Sequence, residues 1–164
     1  MMKKRVYKFH KLRDKEYFFS YNAVCEQLYS LIPPVENFKP NQGVDKIIPL
    51  IFLMRHSIEL GLKIMILTKD PNFNQAKFNH KLIGLYETLK LLSIGENYDE
   101  FIKEPIEYFD KLDPYGFYFR YVGNKEGNKN LTDGFEIILE DLKEQYDKFV
   151  KYFHSFAFHN KLFD

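Results

Sequence analysis

The 164-residue chain contains a single cysteine, Cys25. It therefore closes no intrachain disulfide and builds no cysteine-based metal site. Charge of one sign is also missing: 24 Lys and Arg against 23 Asp and Glu leave a net +1. A field that weak excludes a histone-like basic binder and an acidic tail protein. There is no glycine-rich phosphate loop, no Gly-x-Ser-x-Gly elbow and no His-Glu-x-x-His pair. No repeat, low-complexity tract or linker interrupts the chain, so it reads as one domain over 1–164. An unbroken apolar run is absent as well. The greasiest stretch, Ile47–Leu67, has the length of a membrane span, but Arg55, His56, Glu59 and Lys63 stand in its middle. Each such charge costs roughly 3 kcal/mol in a bilayer, which predicts a buried helix and no membrane insertion. Met1-Met2-Lys3-Lys4-Arg5 is basic like a signal n-region, yet no apolar core follows it. The expected compartment is the cytoplasm.

Aromatic side chains are plentiful. The 17 Phe and 12 Tyr supply more apolar surface than a disordered chain carries. Their spacing is helical. Tyr17, Phe18, Tyr21, Val24, Cys25, Leu28 and Leu31 form a stripe from about Asp14 to Leu31, stopped by Pro33-Pro34. A second helix is expected over about 44–67, with Pro49 in or near its first turn. A third is expected over about 79–92, and a fourth over about 98–112 that Pro105 bends or divides. A last one spans about Leu139 to His159, with Leu142, Tyr146, Phe149, Phe153 and Phe156 at bundle-seam spacing. Between the last two helices the pattern loses its helical period, which predicts a loop or small β-hairpin around 116–138. The fold class is all-α: an antiparallel bundle of about five helices behind a basic arm, residues 1–13. The seam of the last helix predicts a homodimer through an apolar face.

Chemistry concentrates in two places. On the second helix, with Arg55 as origin, Glu59 falls at about 40°, Lys63 at about 80° and His56 at about 100°. The rest of the circumference is almost wholly apolar, so this strip must face another element or a cleft. Arg55–Glu59 and Glu59–Lys63 are i,i+4 neighbours and His56–Glu59 is i,i+3. A partner carboxylate such as Asp113 would balance the charge. Two readings stand side by side. Either the strip is an internal ion-pair network that fixes packing, or Arg55 and Lys63 clamp an anionic group while His56 or Glu59 moves protons. The second place is Asp113–Tyr121, where Arg120 sits among aromatics and can stack, fork to a phosphate or pair with Glu59. His80 opens the third helix as a capping or packed residue. His154 and His159 do not form an i,i+4 metal pair, and neither a metal nor a cofactor is expected.

Taken together, Arg55-His56-x-x-Glu59-Leu60-x-Leu62-Lys63, His80-Lys81-Leu82-x-x-Leu85 and Gly116-x-x-Phe119-Arg120-Tyr121 resemble bacterial helical proteins of the HEPN superfamily. The likeness covers roughly Leu53 to Tyr121. It implies an antiparallel bundle, frequently dimeric, from a toxin–antitoxin or antiphage locus with a partner protein encoded nearby. In active members it implies metal-independent RNA cleavage by an arginine followed four to six residues later by a histidine, near the start of a late helix. Here no arginine follows Arg120, and Arg5…His10 lies at the wrong end of the chain. Three expectations result. The first is a module that binds nucleotide, RNA or a protein through Arg55, Lys63, Arg120, Tyr121 and His80. The second is a divergent ribonuclease with His56 and Glu59 as catalytic groups. The third is a bundle whose polar row pairs only internally.

Overall fold

The structure, a computed structural model, describes residues 14–33, 44–74, 80–93, 99–116, 118–119 and 136–162. Five helices follow in order: α1 Asp14–Ser30, α2 Val44–Lys69, α3 Leu82–Leu92, α4 Asp99–Leu112 and α5 Leu139–His159. The fold is an all-α helical bundle, with no strand among the described residues. The basic arm and most of the expected hairpin (117 and 120–135) lie outside the described residues. α2 is the hub and packs on α1, α3 and α5, while α4 bridges α3 and α5. Its apolar circumference explains the role, because a helix greasy on nearly all sides is covered only by several neighbours. No helix among the described residues is long and apolar enough to cross a membrane.

Side-chain contacts give the directions. Phe18 of α1 lies against Gly61 while Tyr21 meets His56, so α1 runs antiparallel to α2. Glu104 receives Lys148 while Tyr108, further along α4, lies near Asp141 at the start of α5, which makes α4 antiparallel to α5. α5 instead runs in the same direction as α2, with Tyr146 at Ser57, Phe149 at Gly61 and Phe156 at Lys69. Antiparallel packing therefore holds for some pairs and not for this central one. The reason lies in the connections. Asp70 stands just past the end of α2, and by His80 the chain is back at the middle of α2, where His80 meets Glu59.

The α5 seam is the core. Leu142, Tyr146, Phe149 and Phe153 are fully buried and Phe156 nearly so, with Phe18 packed on Phe153 at a ring separation of 3.9 Å. The apolar face from which a homodimer was expected is thus consumed inside one chain. Gly61 makes room for it: a Cβ there would lie 2.8 Å from Phe149 and 3.1 Å from Phe18. A small polar chain threads the same core, in which the Tyr146 hydroxyl donates to Ser57 Oγ at 3.1 Å and also contacts the Cys25 thiol. Pro105 does not divide α4, which continues through it. Pro49 lies in the second turn of α2, at an exposed position. α5 ends in a Schellman motif: Leu162 N–H reaches the Ala157 carbonyl, Lys161 N–H reaches Phe158, and Lys161 adopts φ 52°. Leu162 then packs back on the core.

Candidate functional site

Arg55 stands at the middle of α2 with 2% of its surface exposed. The guanidinium stitches three elements together. Its Nε donates to the Asp113 carbonyl at 2.8 Å, one terminal nitrogen donates to Glu59 Oε2 at 3.1 Å, and the other donates to the His80 carbonyl. Asp113 follows the last residue of α4, whose exposed carbonyls form the negative end of a helix dipole, so a cation is favoured there. His80 precedes α3. One side chain therefore ties α2 to the exit of α4 and the entrance of α3. The Asp113-Pro114-Tyr115-Gly116 turn closes over it, with Gly116 N–H donating to the Asp113 carbonyl at 3.3 Å. Gly116 takes φ +74°, and a Cβ there would sit 2.8 Å from the guanidinium. Only glycine meets both demands.

Glu59 collects the cations. Its Oε1 lies 2.6 Å from Lys63 Nζ and 3.0 Å from His80 Nδ1, while Oε2 takes Arg55. Burial pushes its carboxyl pKa upward, but the hydrogen bond and charge of Lys63, joined by His80, outweigh that and hold it below the usual carboxylate range. Asp113 lies on the other side of Arg55, with Oδ2 at 3.9 Å from Nε and Oδ1 accepting the Tyr118 N–H at 3.2 Å. Inside the bundle, Arg55 and Lys63 thus stand against Glu59 and Asp113. The strip is graded in exposure: the side chain of Lys63 is 22% exposed and that of His80 is 59%.

Other predicted residues take different places. His56 stacks on Phe52 at 5.8 Å and meets Tyr21 edge-on at 5.0 Å. It is not among the partners of Glu59, so the i,i+3 pair expected from spacing does not form. The ring lies between Phe52 on its own helix and Tyr21 of α1. Arg120 and Tyr121 lie outside the described residues. No group of three or more His, Cys, Asp or Glu among the described residues is arranged to hold a metal ion. No family model, curated protein or solved structure matches the chain.

Sequence reasoning missed Asp110. Its Oδ1 accepts the backbone N–H groups of Leu82 at 3.1 Å and Ile83 at 3.4 Å, capping α3 from a neighbouring helix. Lys81, at the N-cap position itself, makes no side-chain cap. A signal was there to read. An aspartate in the last turn of a helix opposes the macrodipole, so Asp110 needs a compensating positive end elsewhere, and the α3 N-terminus provides it. Lys81 and Tyr115 were also passed over. The Lys81 ammonium lies over the Tyr115 ring, 5.6 Å from its centroid.

Proposed function

We propose that this chain is a non-catalytic, HEPN-like helical module of a bacterial toxin–antitoxin or antiphage system, acting in the cytoplasm. It binds the phosphates of RNA or a nucleotide at the outer end of the polar strip. Arg55 serves as scaffold, and Lys63, His80 and Lys81 form the binding rim. What supports this division is the grading of the strip itself. The guanidinium is spent on two carbonyls and a carboxylate inside the bundle, whereas Lys63, His80 and Lys81 reach solvent. A guanidinium buried to 2% exposure and already committed to three acceptors has no room to fork to a ligand; exposed ammonium and imidazole groups do. The placement of His56 between Phe52 and Tyr21, away from Glu59, weighs against the ribonuclease reading. A homodimer of this module would form through a face other than the α5 seam, and light scattering reads whether a dimer forms.

The test is a titration of labelled RNA and of adenosine monophosphate against the purified chain at several salt concentrations. Binding is expected to weaken steeply with salt, in the manner of a few phosphate contacts. Lys81→Ala and His80→Ala weaken it further, and the RNA stays intact throughout. No binding at low salt sinks the proposal and leaves the strip as a purely internal network. RNA cleavage that His56→Ala abolishes sinks it in favour of an enzyme.

A further inference from the structure

The 113–116 turn is anchored more firmly than a surface loop requires. The Asp113 carbonyl takes both Arg55 Nε and Gly116 N–H, the Asp113 carboxylate takes Tyr118 N–H, and Gly116 rests on the guanidinium. Tyr115 lies between these fixed points, yet it is 47% exposed. Its ring is met by Tyr118 at 6.5 Å with an interplanar angle of 61°. Lys81 stands over it, and next to Lys81 is His80, whose imidazole sits with Lys63 on Glu59. A held aromatic ring at the edge of a cationic rim is the pairing that recognises unpaired bases. The ring stacks on a base face, which every base has, while nearby cations take the adjoining phosphate. Because the turn is already ordered, little freedom is lost when a ligand lands. A duplex, whose base faces are covered by their neighbours, offers such a ring nothing.

We propose that Tyr115 is a stacking shelf for an unpaired nucleobase, with Lys81 on the phosphate next to it. The ligand of the rim is then a single-stranded RNA or a free nucleotide, not a duplex. This rests on the rim reading above and goes further by naming the form of ligand.

The experiment compares a labelled short oligoadenylate, alone and paired with its complement, by fluorescence anisotropy on wild-type protein, Tyr115→Ala and Tyr115→Phe. Circular dichroism confirms that each variant is folded. The single strand should bind about tenfold tighter than the duplex, and Tyr115→Ala should erase most of that difference while Tyr115→Phe keeps it. Competition by adenosine monophosphate but not by inorganic phosphate identifies a free nucleotide as sufficient; failure of both to compete identifies the strand as the ligand. Equal binding of both forms, or a preference for the single strand that Tyr115→Ala leaves intact, overturns the shelf and leaves the phosphate rim standing. Absence of binding to any of these probes overturns the shelf and the rim together.

Discussion

Removing the Arg55 guanidinium should unsettle three helices at once. In Arg55→Ala, Glu59 Oε2 loses its donor inside the bundle, the Asp113 carbonyl keeps only the longer Gly116 N–H bond at 3.3 Å, and the His80 carbonyl loses its donor in a part-buried position. The last of these lies nearer to water. Water reaches Asp113, which is fully buried, far less. A stranded buried acceptor costs about 1–3 kcal/mol, and breaking a buried ion pair costs about 3–5 kcal/mol. We expect a loss of about 3–4 kcal/mol by urea denaturation, or about 10 °C in Tm for a chain of this size. Lys63→Ala is the control. Its partner Glu59 keeps Arg55 and His80, and Lys63 is partly solvated, so the loss should be about 1 kcal/mol. Arg55→Lys retains the charge but cannot reach three acceptors from one ammonium, and should recover only part of the stability. If Arg55→Ala loses no more than Lys63→Ala, the scaffold role assigned to Arg55 is wrong.

Three further predictions draw on other parts of the structure. The Glu59 carboxyl is held below the usual carboxylate range by Lys63 and His80 despite its burial. The stability it confers is full above the ordinary carboxylate pKa, about 4.3, and is lost as pH falls below that through the depressed value. Denaturation curves from neutral pH to pH 3 should show this acid limb, and a Glu59→Gln variant with an equally steep limb would refute the attribution. Burial pushes the Cys25 thiol up to about 12 even though Tyr146 hydrogen-bonds to it. A thiol reagent at pH 8 should therefore label the native protein very slowly and the denatured protein at once; rapid labelling of the native state contradicts this. Lys161→Gly should raise stability by about 0.5–1 kcal/mol by relieving a left-handed conformation at the end of α5. An unchanged or lower Tm argues against it.

Much of the fold was legible because helices are local objects. The α5 bounds are those expected from the aromatic seam, whose period alone marks them, since Ile138 at the N-cap makes no side-chain cap. α3 begins at Leu82, later than its spacing suggested, because its first free N–H groups are satisfied by Asp110 from another helix. The Arg55–Glu59–Lys63 row was legible for the same reason as the helices, an i,i+4 step being fixed by helix geometry. The identity of the histidine was not. His56 is near Glu59 in sequence and angle but turns to Tyr21 of α1 and Phe52 of α2, whereas His80 reaches Glu59 from 21 residues further along the chain. The parallel run of α2 and α5 was hidden likewise, because no local pattern encodes how far a connection carries the chain.

The balance of Arg55 and Lys63 against Glu59 and Asp113 has a practical corollary for any solution study. Ions from the buffer cannot enter to shield the Arg55–Glu59 and Arg55–Asp113 contacts, from which solvent is excluded, and reach only the partly exposed Lys63 end of the row. Adding sodium chloride should thus leave the unfolding midpoint nearly where it was while weakening the phosphate binding that we propose for the outer lysines. The same row of side chains will look indifferent to ionic strength in a melting curve and acutely sensitive to it in a titration.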